Sequence, residues 1–495
     1  MSDNEWGDFQ TPVELAHAVL RVLGGEWDRV LEPTCGVGNF LTAAAAAGIP
    51  ERVGIEVQAA YCDQARSTGA TIITASIFDT DLARDVPWTR SGSLLVVGNP
   101  PWITSSQLGS LGSANLPAKS NLRNLRGIDA MTGASNFDIS EFIILKVAAE
   151  LEAEQPTIAM LCKTQVARNV IEFAHRHSLR LDRASIRRID AKKWFDASVD
   201  ACLFTFRYGC TQDLEVPSYD GLSSEEPSQT LGFAGGRMVA DVHAHRRSAF
   251  LDGSSPFEWR QGIKHDAATV MELNRDQSGK HTTRTGEVVE VEDDHLYPLL
   301  KCTDVFHGRT STRSAIVTQR RLGDDTTELA KTAPALWQYL TQHRDRLDGR
   351  KSSIYRGRPP FSMFGIGDYT FAPWKVAVSG LHQDIRFRVV GPVGGKPVVF
   401  DDTCYMLPFE RGADAAIAAA LLSTPAVRDL LASLTFPGSK RTVTKKLLTR
   451  IDLRALAEVV EPDATMAVAG DLLGAPVTEP DWQVFVARFE ARSAR

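Results

Sequence analysis

Four adjacent residues, Asn99-Pro100-Pro101-Trp102, could do chemistry that their neighbours could not. The Asn side chain offers an amide oxygen as a hydrogen-bond acceptor. The two prolines fix φ and lack backbone donors, so the Pro100 carbonyl has few local competitors. Trp102 adds a flat face the size of a nucleobase. Two acceptors beside an aromatic plate suit a planar ring that carries an exocyclic NH2 group. The reaction they would serve is methylation of that amine. The plainer alternative is a Pro-Pro turn closing a strand, with the Trp as packing.

These residues need a scaffold that delivers them to one edge, and the first hundred residues spell one out. Residues 29–33, 52–56, 71–77 and 94–98 read as strands, and 40–47 and the stretch through 61–65 as helices. Thr34-Cys35-Gly36-Val37-Gly38-Asn39 is a glycine-containing turn, and Gly36 and Gly38 permit close backbone approach to a ligand. Strand, glycine turn, helix, strand is the unit that presents a ligand at the carboxyl ends of parallel strands. Glu56 falls at the tip of the second strand, about 20 residues past the turn, where an acid accepts from ribose hydroxyls. A dehydrogenase would share this skeleton, but the turn lacks the GxGxxG spacing that a pyrophosphate needs. Glu32, just before the turn, suits a cation such as a sulfonium or an ammonium. S-adenosylmethionine is therefore the expected cofactor. Asp79 would accept from the cofactor's adenine amine, or else cap the helix that follows.

In their order along the chain, these motifs resemble those of the gamma-class, TaqI-like, adenine-N6 DNA methyltransferases of restriction-modification systems. The residues that carry the resemblance are Glu32 to Leu41, Ile55-Glu56, Phe78-Asp79 and Asn99 to Trp102. Gln10-Thr11-Pro12 resembles the family's N-terminal motif, and Asn136 to Phe142 the helix that lines the cofactor's adenine. Ile158 to Lys163 reads as the next strand. Trp194-Phe195 with Val199 to Phe204 resembles the late motif whose aromatic helps hold an extruded base. The resemblance spans roughly residues 5–210 and departs from the commoner pattern in ending the catalytic turn with Trp rather than Tyr. It implies a class I, Rossmann-like S-adenosylmethionine-dependent α/β domain. It also implies cofactor contacts at Thr11, Glu32, Thr34, Cys35, Gly36, Gly38, Glu56, Val57, Asp79, Asn99 and Phe142. Catalysis would rest on Asn99, Pro100, Pro101 and Trp102, with Trp102 and Phe195 stacking on a flipped adenine. Neither a metal nor a covalent nucleophile is needed, and Cys35 reads as packing within the turn.

At 495 residues the chain is long enough for two domains. The polar, turn-rich stretch 211–230 marks the expected boundary, giving a catalytic domain over 1–212 and a mixed α+β target-recognition domain over 230–495. The net charge of −6 averages over unlike halves. Residues 1–100 are mainly acidic, whereas 344–388 and 438–454 are rich in Lys and Arg. Phosphate contacts are expected from Arg356, Arg358, Lys440, Arg441, Lys445 and Lys446. The aromatics interleaved with them, from Phe361 to Trp374, read as core. Lys264 would either meet DNA near the cleft or hold its own loop. The polar segment 103–130, with Lys119, Arg123 and Arg126, reads as a loop that orders on DNA. Seven scattered cysteines without a CxxC pair, no long apolar run and no signal peptide suggest a cytoplasmic protein with reduced thiols and no membrane association. The expected partner is double-stranded DNA, with room for a separate cognate restriction endonuclease. The rival readings are methylation of an RNA base or a protein glutamine, and a non-catalytic DNA-recognition subunit.

Overall fold

A computed structural model describes residues 9–104, 138–177, 179–208, 215–276, 278–436 and 442–493. The chain divides into two compact units, Met1–Val242 and His243–Arg495.

The first unit is built on one ten-stranded sheet. Its strands are β1 (Arg29–Glu32), β2 (Glu51–Glu56), β3 (Thr71–Thr74), β4 (Leu94–Gly98) and β5 (Thr157–Lys163), followed by β6 (Leu181–Ile189), β7 (Ala201–Tyr208), β8 (Val216–Tyr219), β9 (Gln229–Ala234) and β10 (Arg237–Val239). Their spatial order is 10-9-8-6-7-5-4-1-2-3. Strands β1 to β5 pair in parallel, while β7 runs antiparallel between β5 and β6. Every residue of β1 and β4 is buried, and β4 is the continuous apolar run expected at the centre of a parallel sheet. From β1 the chain moves to β2 and β3 on one side, then returns for β4 and β5 on the other. The strand order therefore reverses between β1 and β4, the crevice where open α/β sheets take their ligands.

Among the described residues, the helices of this unit are α1 (Val13–Leu23), α2 (Asn39–Ala46), α3 (Ala59–Arg66), α4 (Leu82–Asp85), α5 (Ile139–Glu150), α6 (Thr164–His177) and α7 (Ala191–Phe195). Leu15, Ala16 and Val19 of α1 join Phe40 and Leu41 of α2 and the inward side chains Val30, Leu95 and Val97 in one core.

Two expectations move. The third strand stops at Thr74 rather than Ile77, because its neighbour among the described strands, β2, ends at Glu56, the partner of Thr74. The stretch 211–230 is not the boundary. Residues 216–239 add β8, β9 and β10 to the sheet, and the polar residues 220–228 form the turn between β8 and β9. The chain divides only after Val242.

The second unit is mixed α+β. A five-stranded sheet joins residues from Glu272–Arg275 to Val399–Phe400, and a four-stranded sheet is centred on Trp374–Ser379 and Cys404–Phe409. Against the four-stranded sheet lies the Ala-rich helix Gly412–Leu422, buried along almost its whole length in a core with Phe257, Trp259 and Phe485. Among the described residues no single helix is long and apolar enough to cross a membrane.

Candidate active site

The first unit places Glu32, Glu56 and Asn99 at the carboxyl ends of β1, β2 and β4. The turn after β1 needs its glycines. Gly36 and Gly38 sit at φ +51° and +86°, and a Cβ on Gly36 would lie 2.4 Å from the Gln10 side-chain oxygen. Cys35 beside them is buried, and burial together with the Glu32 and Glu56 charges pushes its thiol far up. It packs the turn and is a poor nucleophile.

The two acids behave differently. Glu56 accepts from the Gly36 amide at 2.9 Å and from the Gln58 amide at 2.8 Å, so it ties the glycine turn to β2. Glu32 is 4% exposed, and one of its oxygens, Oε2, has no partner. Burial pushes its carboxyl well above the usual range, the Leu41 amide opposes this, and the Glu56 charge adds to it. Thr34 Oγ1 and Asn99 Oδ1 at the same rim are also buried without a partner. Buried polar atoms are almost always satisfied. A ligand that brings a cation and donors to this rim would satisfy all three, which is what S-adenosylmethionine carries.

Asn99 is held from one side only. Its Nδ2 donates to the Phe9 carbonyl at 2.9 Å. Only the NH2 end of an amide can donate to a carbonyl, so this bond decides which way the side chain points. Oδ1 is left as an open acceptor. The prolines that follow are braced by the start of α5. Asp138 caps that helix by accepting from the Ser140 amide at 3.1 Å and is itself held by Lys163 at 2.8 Å. The Ser140 hydroxyl donates to the Pro101 carbonyl at 2.8 Å and lies 3.5 Å from that of Pro100.

Trp102 and Phe195 come together as the sequence suggests, with ring centroids 5.1 Å apart and edge to face. Phe9 joins them, at 5.6 Å from Trp102 and 5.9 Å from Phe195. Trp102 also packs. It is 6% exposed, and its indole N–H donates to the Leu161 carbonyl at 3.2 Å. The larger Trp ring reaches into the core beneath the turn, and little of its face meets solvent.

On the other side of the rim, Phe78 and Phe142 meet edge to face at 5.6 Å. Val57 beside Glu56 is 47% exposed, an apolar side chain left open. Asp79 is exposed in the turn after β3, five residues beyond the strand. The helix that follows is capped by Asp81, whose side chain accepts from the Arg84 amide, so the capping alternative for Asp79 falls away. Thr11 is buried near the glycine turn, its carbonyl accepting from Asn39 at 2.7 Å.

The expected phosphate contacts divide. Lys119, Arg123, Arg126, Lys440 and Arg441 lie outside the described residues. Arg356, Arg358, Lys445 and Lys446 are exposed on the second unit. Lys445 has Glu258 at 3.5 Å, and the Arg358 guanidinium lies 5.9 Å from the Phe364 ring centroid. Lys264 is held by Asp266 at 2.8 Å and Asp402 at 3.3 Å, as a residue that fixes its own loop. Phe361 is fully buried, as expected of the core.

The sheet with its antiparallel β7, the glycine turn and the acids on its rim define a class I S-adenosylmethionine-dependent methyltransferase. No protein-family model matches the chain. It is 38% identical over 475 residues to Type II methyltransferase M.NspV from Nostoc sp., a match covering 92% of this chain and 98% of that one. A stretch of 92 residues is 36% identical to 23S rRNA (uracil(1939)-C(5))-methyltransferase RlmD from Stenotrophomonas maltophilia, covering 18% of this chain and 20% of that one. Among solved structures, the Type IIL restriction-modification enzyme MmeI in complex with DNA shares the fold. The TM-score is 0.51 at 11% identity, over 98% of this chain and 75% of that one. The chain belongs to the family of Type II methyltransferases, and S-adenosylmethionine is its cofactor.

Proposed function

We propose that the protein is a site-specific DNA methyltransferase of a restriction-modification system that methylates the N6 amine of adenine. The observation that carries this reading is the Asn99 amide, pinned through its NH2 so that a buried, unpartnered oxygen faces the rim. A base amine has two N–H bonds to give. Asn99 Oδ1 takes one and the Pro100 carbonyl the other, which keeps the nitrogen lone pair out of the ring and aimed at the methyl donor. A keto oxygen at the same position would meet two acceptors and be rejected.

When bound, S-adenosylmethionine supplies an electrophilic methyl group on a sulfonium. Glu32 balances its positive charge, Glu56 and Thr11 hold the polar parts, and Val57, Phe78 and Phe142 line the adenine. Positioning and electrostatics supply the rate, with no covalent nucleophile from the chain. A base inside a duplex is out of reach, so the target is extruded at a cost of a few kcal/mol. The Trp102–Phe195 pair offsets part of that cost by contact with the extruded ring. The second unit, with Arg356, Arg358, Lys445 and Lys446 exposed, meets the phosphates and selects the site. Methylation then shields that site from a separate cognate endonuclease.

The test is single-molecule sequencing of DNA from cells expressing the protein, with Asn99→Ala beside it. N6-methyladenine at one recurring sequence, lost in the variant while cofactor binding persists, is the expected result. A modified cytosine, or undiminished methylation by Asn99→Ala, would refute the reading.

A further inference from the structure

The residues around Gln10-Thr11-Pro12 also meet the catalytic turn. Residues 9–11 form a strap held at three places. The Asn99 NH2 donates to the Phe9 carbonyl at 2.9 Å. The Val37 amide of the glycine turn donates to Gln10 Oε1 at 3.1 Å. Asn39, the first residue of α2, donates to the Thr11 carbonyl at 2.7 Å. The Phe9 ring meanwhile contacts both Trp102 and Phe195.

We propose that Phe9–Thr11 is a positioning element for methyl transfer: its Phe9 carbonyl sets the Asn99 amide with the oxygen towards the incoming amine, and Gln10 and Thr11 tie that setting to the cofactor turn. The proposal rests on the amine-methylation reading given above. A free amide can present either end to a substrate, and only one end accepts. The carbonyl removes the wrong orientation before the substrate arrives, so no reorganisation is left for the reaction itself. The same geometry explains why the position must be Asn in this chain. An ionised Asp has two acceptors, and one would face the Phe9 carbonyl oxygen with no proton between them.

That requirement supplies the test. In Asn99→Asp, a protonated carboxyl can donate its O–H to Phe9 and accept the amine with its carbonyl, whereas the ionised form cannot donate. Asp138 nearby is already paired with Lys163.

Single-turnover transfer of tritiated methyl to unmodified plasmid DNA is measured for the full chain and its variants. Asn99→Asp is expected to run about 100-fold slower than the native chain at pH 8, the size of a 1 Å misplacement. It should recover at least about tenfold relative to the native chain at pH 6, as one end regains a donor. Cofactor affinity by calorimetry stays within about threefold. Phe9→Ala lowers kcat by about 10-fold or more with the cofactor KM little changed, and Phe9→Leu restores most of it. Native-like transfer by Asn99→Asp at pH 8, or a pH profile parallel to that of the native chain, overturns the proposal. So does a Phe9→Ala that raises only the cofactor KM. Asn99→Ala is run alongside, and if it transfers at the native rate it is the amine-methylation reading that fails instead.

Discussion

Glu32 offers a prediction in which stability and function move in opposite directions. Its carboxyl is almost fully buried, takes one hydrogen bond from the Leu41 amide, and leaves Oε2 without a partner. In the protein without cofactor, Glu32→Gln removes a charge that burial disfavours. An unpaired buried polar group costs about 1–3 kcal/mol, and the Gln amide still leaves one polar atom unmatched, so the net gain is about 1–2 kcal/mol. For a unit of this size that raises Tm by roughly 2–8 °C. The pH dependence follows from the raised pKa. A carboxyl whose folded pKa lies above its unfolded value lends full stability below the unfolded value and loses it as pH rises through the folded one. The advantage of the Glu32→Gln variant over the native chain should therefore be small near pH 4 and grow towards neutrality. Cofactor binding should suffer instead. Losing a charge-assisted contact of about 1.5–3 kcal/mol weakens the affinity about 10- to 150-fold. Scanning calorimetry without ligand and titration calorimetry with S-adenosylmethionine measure the two sides. A variant that melts below the native protein without ligand, or that binds the cofactor equally well, would refute the reasoning.

Two further outcomes concern packing and charge. Trp102→Ala should cost about 3–5 kcal/mol of stability in the first unit, because a buried ring with a satisfied N–H is removed. Trp102→Tyr should cost less and retain more transfer, as chemical denaturation and methyl-transfer rates would show; equal losses in the two variants would contradict the packing. In the second unit, burial raises the Glu272 carboxyl, but bonds from His265 and Lys301 outweigh this and hold it at about 2. A depressed pKa gives stability above the usual carboxylate value, so the second unit should lose it between about pH 4.5 and 2. Glu272→Gln should flatten that acid limb and cost about 3 kcal/mol at pH 7, the low end for a broken buried pair because Lys301 keeps 30% side-chain exposure. An unchanged acid melting curve would count against it.

Much of the first unit was legible because its signals are local. The short strand at 29–33, the apolar run at 94–98, the glycines at positive φ and the acids at strand ends all declare themselves within a few residues. Phe9 was not legible as a site residue, since its role depends on a carbonyl meeting a side chain 90 positions away. Ser140 and the Asp138–Lys163 pair were hidden for the same reason. The burial of Trp102 was not legible either: a sequence shows that a ring is flat but not which atoms cover it. The polar run at 220–228 carried the composition of a linker, and only strand pairing on both sides reveals it as the loop of a hairpin. In the second unit the exposed basic residues follow composition, while Lys264 does not, because its two acids come from separate parts of the chain.

The strands contributed by residues 216–239 have a practical meaning for anyone dividing this protein. β6 pairs in parallel with β8 through Ile186 with Ser218 and Arg187 with Tyr219. Cut the chain at 212, where composition invites it, and β6 becomes an open edge with unpaired backbone groups, the kind of surface that recruits other chains into aggregates. A catalytic fragment ending near 242 keeps the edge covered. The three strands thus serve as a selvedge that keeps the catalytic sheet from fraying.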